Sequence, residues 1–183
     1  STFSSLGISI IFTLINYFLI VVGVLIFHAF FTYSLLLTSL AKINPFIFFS
    51  KMKEAIIFAF STSSSSATMP VTLKTVEEKL GVDKSVSSFC IPLGTTINMD
   101  GTAIMQGVAT VFIAQVYQVD LSMMEYLMVI ITATLASIGT AGVPGVGLIM
   151  LAMVLQQVGL PVEGIALIIG VDRLLDMLRT AVN

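Results

Sequence analysis

Asn98-Met99-Asp100-Gly101-Thr102 is the stretch on which the reading of this chain turns. It sits inside Val86 to Tyr117, which holds no Lys, Arg or Glu and has Asp100 as its only acid. A carboxylate at bilayer depth costs several kcal/mol unless a cation, a partner or water offsets it. Asn98 and Gly101 beside it disfavour regular helix. A charged, broken stretch at mid-membrane is what an ion-binding site needs.

The composition around this stretch is that of an integral membrane protein. Hydrophobic residues make up 57% of the chain and charged residues 10%, where a soluble domain carries roughly 25% charge. The mean hydropathy is +1.07. The single cysteine, Cys90, excludes an internal disulfide framework and any cysteine-built metal site. The net charge of -2 says little, because membrane proteins are read from where charge sits. The first residues lack the basic n-region and cleavage site of a signal peptide. The expectation is a portion of something longer.

Charge placement predicts the topology. Ile8 to Phe31 is an apolar run long enough to span. His28, near its end, reads as an interfacial histidine or one satisfied by a neighbour. Lys42, Lys51 and Lys53 precede the next apolar stretch, and Lys74, Lys79 and Lys84 follow it. The positive-inside rule makes both flanks cytoplasmic. Only Glu54 to Leu73 separates them, about one crossing, where two full crossings need about 40 residues. A re-entrant hairpin solves the conflict, with its tip at Ser61-Thr62-Ser63-Ser64-Ser65-Ser66. Irregular backbone at that depth survives only where it lines a cavity or is buried in protein.

Val86 to Tyr117 then crosses outward. The loop near Asp120 and Glu125 has no basic residue, as an external loop should. Tyr126 to Leu160 follows, with Gly139-Thr140-Ala141-Gly142-Val143-Pro144-Gly145 at its centre and Pro161 and Glu163 beyond it. Both ends read as external, which predicts a second hairpin entering from the opposite face, the alternative being one long span kinked by Gly and Pro. The last segment carries Asp172, Arg173, Asp176 and Arg179. Asp172, Asp176 and Arg179 fall at i, i+4 and i+7, on one helix face. Arg173 points elsewhere and reads as structural or snorkelling. The expected fold class is thus all-α: a membrane protein of transmembrane helices, two opposed re-entrant hairpins and a broken helix. Inverted repeats with discontinuous helices are a transporter plan.

Four motifs in order resemble the glutamate transporter family, the dicarboxylate/amino acid:cation symporters. They are Ser63-Ser64-Ser65-Ser66-Ala67-Thr68-Met69-Pro70, Asn98-Met99-Asp100-Gly101-Thr102, Ala136 to Gly145, and Asp176-Met177-Leu178-Arg179-Thr180 through Asn183. The resemblance implies an elevator-type secondary transporter, a homotrimer built on a scaffold domain absent from this chain, in a cell membrane with several passes. It implies that 1–37 is the sixth transmembrane helix and 44–80 the first hairpin. Residues 85–117 would be the broken helix, 123–160 the second hairpin and 162–183 the first half of the last helix.

The resemblance also assigns roles. Arg179 would hold the substrate's side-chain carboxylate, a grip suited to the bidentate guanidinium. Asp176 would bind its amino group. Thr180 and Asn183 would contact the backbone end, Thr102 the side-chain carboxylate, and the amides of Ser65 and Val143 would add donors. For sodium, Asn98 with the Gly94 and Asn183 carbonyls would line one site, and Asn98 with Asp100 a second. The carbonyls of Thr96, Ser137, Ile138 and Thr140 would form a third. All-oxygen coordination suits a hard cation. Met99 would sit between the sites.

The sequence departs from the family at Ser63 and Met177, where a second arginine is usual. The implied function is sodium-coupled symport of an acidic amino acid or C4-dicarboxylate, without an organic cofactor and without nucleic acid. Two rivals have sequence arguments against them. Opposed re-entrant loops also build ion channels, but Asp176 and Arg179 suit a zwitterionic or anionic solute. An intramembrane aspartyl enzyme needs two carboxylates close enough to share a proton, and no spacing here demands it.

Overall fold

This computed structural model describes residues 2–183, with side chains from residue 12 onward. Residue 1 and the side chains of Ile8 to Ile11, at the start of the expected first helix, lie outside the described residues.

Helix α1 (Thr2–Phe27) runs on through a π-helical turn (His28–Thr32), one α-turn, α2 (Tyr33–Leu36), and a second π-turn (Leu37–Ala41). It stops at Lys42, whose φ of 54° is left-handed. The helix therefore extends to Ala41, past the expected boundary at 37. Among the described residues, the stretch 12–41 is the one helix long and apolar enough to cross a membrane. It is also the most exposed apolar surface, with Phe12, Leu19, Phe27 and Phe30 facing outward.

The remaining helices form in pairs around punctuated breaks. Asn44 caps α3 (Pro45–Thr62) by accepting from the Phe46 N–H, and Pro45 starts it with φ already set. Ser63 ends α3 in the left-handed region, and Ser64 caps α4 (Ser65–Leu80) by accepting from the Ala67 N–H. The expected serine tip is thus a two-residue turn. Gly81, at φ 73°, closes α4, and Asp83 caps α5 (Lys84–Ile97). Asn98 and Met99 leave helical geometry, and α6 (Asp100–Val116) starts afresh. Ser122 and Glu125 form a capping box on α7 (Met123–Ile138). The loop 139–145 turns the chain into α8 (Val146–Gln157), with Gly145 at φ 82°. A 3-10 turn leads to α9 (Ile165–Val182). Among the described residues there is no strand.

Helix α9 is central: it touches α1, α3, α6 and α8. One apolar core joins Tyr17, Val21 and Leu25 of α1, Met105, Ala109 and Ile113 of α6, Leu151 and Leu155 of α8, and Ile168 and Leu175 of α9. The spacings 17/21/25 and 105/109/113 are single helical faces. The breaks after α3, α5 and α7 converge on the C-terminal half of α9.

Candidate functional site

The site is built where helices end. Helix α6 has no side-chain cap of its own, so its first N–H groups need acceptors from elsewhere. Asn183, at the end of α9, supplies them. Its Oδ1 accepts from the Gly101 N–H at 2.8 Å and the Thr102 N–H at 3.3 Å, and its Nδ2 donates to Thr102 Oγ1 at 3.1 Å. The Asn98 Nδ2 donates to the Asn183 carbonyl at 3.2 Å. Gly101 permits this approach: a Cβ there would lie 2.9 Å from the Arg179 carbonyl oxygen and 3.0 Å from Asn183 Oδ1.

Asp100 is the anchor of the first patch. Its Oδ2 accepts from the Tyr33 hydroxyl at 3.0 Å and lies 3.1 Å from His28 Nε2. The π-turn explains how two residues five apart reach one carboxylate. An α-helix would set them about 140° apart, while i→i+5 winding brings them nearly into line. Their rings meet edge-on at 4.8 Å. His28, expected to be interfacial or satisfied by a neighbour, is satisfied by Asp100.

A second charged centre sits on α9. Arg179 is 1% exposed. Its Nη2 donates to Asp176 Oδ1 at 2.8 Å and its Nη1 lies 3.0 Å from Asp172 Oδ1. Asp176 Oδ2 accepts from the Gly145 N–H at 3.1 Å, tying α9 to the second hairpin loop. Asp176 and Arg179, at i and i+3, form an ion pair, and Asp172 joins it as a second buried carboxylate. Arg173, expected to point elsewhere, is exposed and lines one cleft with Asp172 and Asp176. The Nε and Nη1 hydrogens of Arg179 have no aligned acceptor among the described residues. A guanidinium with uncommitted donors is a ready receptor for a further carboxylate.

The two hairpin turns touch. The Gly142 carbonyl accepts from the Ser66 N–H at 3.0 Å and the Ser64 hydroxyl at 2.8 Å. Ser65, Gly94, Asn98, Thr180 and Asn183 line a cavity of about 510 Å³ between the end of the first helix, α3, α5 and α9. Asp176, Gly145 and Pro144 line a separate, more open cleft.

A family model described as the sodium:dicarboxylate symporter family matches residues 1–183. The chain belongs to this family. It is 49% identical over 164 residues to Excitatory amino acid transporter 1 of Rattus norvegicus, covering 90% of this chain and 30% of that protein. An Excitatory amino acid transporter of Caenorhabditis elegans is 47% identical over 167 residues, 91% of this chain and 33% of that protein. A second protein of that organism, "Putative sodium-dependent excitatory amino acid transporter glt-4", is 48% identical over 170 residues, 93% of this chain and 34% of its own length. The chain thus spans about a third of the length of these relatives. As a member of this family it is an all-α membrane protein chain.

Within this symporter family chain, the expected site residues separate into groups. Asp176, Arg179, Thr180, Asn183 and Thr102 come together around the α6–α9 contact. The Thr180 hydroxyl donates to the Asp176 carbonyl, inside its own helix. Asn98, Asp100 and the Asn183 carbonyl adjoin each other, and the Gly94 carbonyl accepts the Asn98 N–H at 2.8 Å. Ser137, Ile138 and Thr140 end α7, where the Ser137 carbonyl accepts the Thr140 N–H at 3.1 Å. Thr96 is exposed near the end of α5. The Val143 N–H, an expected donor, is spent on the Ala141 carbonyl at 2.8 Å, because the loop closes as a tight turn there. Gly145 is the loop amide that points at α9. Among the described residues no three His, Cys, Asp or Glu side chains form a metal cluster.

Sequence reasoning passed over Tyr33 and Gln106, and gave Gly142 no role beyond its place in the second-hairpin tip. Gln106 is fully buried, one turn after Thr102, and its Nε2 donates to the Gly147 carbonyl at 3.3 Å. A polar residue on the buried face of an apolar helix was the available signal.

Proposed function

We propose that the whole protein of which this chain is part is a sodium-coupled symporter for an acidic amino acid, glutamate or aspartate, or for a C4-dicarboxylate. The observation that carries this is Arg179. It is a buried guanidinium flanked by two carboxylates, with its Nε hydrogen still uncommitted, where helix ends meet. The names of the relatives, excitatory amino acid transporters, support the same substrate class, and the sodium-dependent relative supports the ion.

In this reading Arg179 takes the substrate's side-chain carboxylate and Asp176 exchanges its Gly145 contact for the substrate ammonium. Thr102, Thr180 and Asn183 complete the site, with the first-turn amides near Ser65. Val143 belongs to it through its loop. Sodium is cargo as well as cofactor. Asn98 and Asp100, with the Gly94 and Asn183 carbonyls, hold ions on one side, and Thr96, Ser137, Ile138 and Thr140 hold another at the end of α7.

Residues 44–80 and 123–160 act as re-entrant hairpins. Helices α7 and α8, of 16 and 12 residues, are each shorter than the ~20 residues a crossing needs. The domain moves as an elevator against a trimeric scaffold in a plasma or inner membrane. Ion and substrate raise each other's affinity, as linkage requires.

The test is uptake by the full-length protein in vesicles under a sodium gradient. Arg179→Ala should lower glutamate, aspartate and dicarboxylate uptake by on the order of 100-fold or more, since it leaves Asp172 and Asp176 buried without their cation. Undiminished acidic uptake in that variant overturns the reading. So do sodium-independent currents above carrier turnover with no substrate accumulation, which would mark a channel.

A further inference from the structure

Tyr33 has one hydroxyl proton and two acceptors. Its Oη lies 3.0 Å from Asp100 Oδ2 and 3.1 Å from the carbonyl oxygen of Val182. A phenol donates one hydrogen bond, so at any moment one acceptor is served and the other is not. The two acceptors belong to different parts of the site. Asp100 opens α6 and is the one carboxylate of the broken span. Val182 ends α9 and precedes Asn183, whose side chain caps α6. Arg179 lies one turn earlier.

We infer that Tyr33 is a positioning residue that couples cation binding at Asp100 to the substrate-holding end of α9. The inference rests on the proposed role of Asp100 as a cation ligand. Without the cation, the ionised carboxylate is the stronger acceptor and takes the Tyr33 proton. His28 Nε2 lies against the same oxygen. A cation on Asp100 neutralises that pull. The proton then turns to the Val182 carbonyl, and the Oη lone pairs face the ion. The last turn of α9 gains a hydrogen bond only when the ion is present, so the α9 end is held in its binding geometry by sodium. No covalent bond changes and no charge is transferred. The π-turn is what delivers the tyrosine to this place, and Oη reaches α6 and α9 at once.

The experiment uses the full-length protein in detergent or lipid, as wild type, Tyr33→Phe and Asp100→Asn. Two quantities are read: the sodium-dependent rise of the unfolding midpoint without substrate, and the L-aspartate Kd at low and at saturating sodium. Tyr33→Phe keeps the ring against His28 and loses only the hydroxyl, and its sodium-free midpoint verifies that it folds. The expected result is that Tyr33→Phe retains a sodium-dependent midpoint rise while the ratio of the two Kd values shrinks by about three- to tenfold, the size of one hydrogen bond to a neutral carbonyl. An unchanged ratio in Tyr33→Phe, with Asp100→Asn losing the sodium response, overturns the coupling role and leaves the cation reading standing. A full sodium response in Asp100→Asn overturns the cation reading of Asp100 and the inference with it.

Discussion

Arg179 is held by Asp172 and Asp176 at a depth where a lone charge is expensive. Nearby, Gly101 sets how closely α6 can approach this arginine's backbone. A Cβ at 101 would meet the Arg179 carbonyl oxygen at 2.9 Å and its Cα at 3.0 Å, and backbone cannot swing aside. Gly101→Ala should therefore destabilise the protein by about 1–3 kcal/mol, the usual cost of overpacking. It should also weaken substrate binding, because Asn183 is displaced with Arg179. Gly107→Ala, two turns on, meets nothing within 4 Å and should be neutral or stabilising, since alanine is the better helix former. Thermal unfolding of the two variants beside wild type checks the contrast, and equal midpoints would refute it. The charged face of Asp172, Asp176 and Arg179 was legible in the sequence from its i, i+4, i+7 spacing. The glycine contact was not, because it depends on which helix lies opposite.

At the scale of elements, the breaks were the most legible feature. Ser63-Ser64, Asn98-Met99 and the 139–145 loop all fall where Ser, Asn, Gly and Pro interrupt apolar runs. Those residues carry caps and left-handed conformations that others resist. The meeting of His28, Tyr33 and Asp100 was not legible. It follows from a π-turn, and an extra residue in a helical turn leaves no compositional trace.

Helix α7 shows how local such chemistry can be. Hydrogen bonds from the Ser122 hydroxyl and then the Ser122 N–H hold the Glu125 carboxyl below its usual range. A carboxylate depressed in the folded state contributes stability that is complete above its unfolded pKa, about 4.3. That contribution is lost as pH falls through the lower folded value. The start of α7 should therefore lose amide protection below about pH 4.3. Ser122→Ala should be less protected already at neutral pH and respond less to acid. Hydrogen-exchange protection factors at the first turn of α7, corrected for intrinsic pH effects, check this. An acid response of full size in Ser122→Ala would sink it.

For the molecule as a whole, the question is whether the two hairpins act as one gate or two. Their turns meet through Gly142, whose carbonyl takes both a backbone and a side-chain hydrogen bond from the serine turn. A Cβ at 142 would lie 3.0 Å from the Ser65 Cβ. Disulfides have Cβ separations of about 3.5–4.5 Å, so a relaxation of well under 1 Å would admit one. Cys90 is the one cysteine of this chain, so the background for the test has Cys90 and any cysteine elsewhere in the full-length protein replaced by serine. If the two hairpins form one gate, substrate enters and leaves by parting these turns. Ser65→Cys with Gly142→Cys, oxidised in the full-length protein, should then stop uptake and trap bound substrate, and a reductant should restore both. Each single cysteine variant should be insensitive to oxidant, which separates the bond from mere crowding at 142. If the oxidised double variant still exchanges substrate at the reduced rate, the turns need not part. Access would then run through the cleft beside Pro144 and Asp176 instead, and the Gly142 contact would be a fixed joint between the repeats.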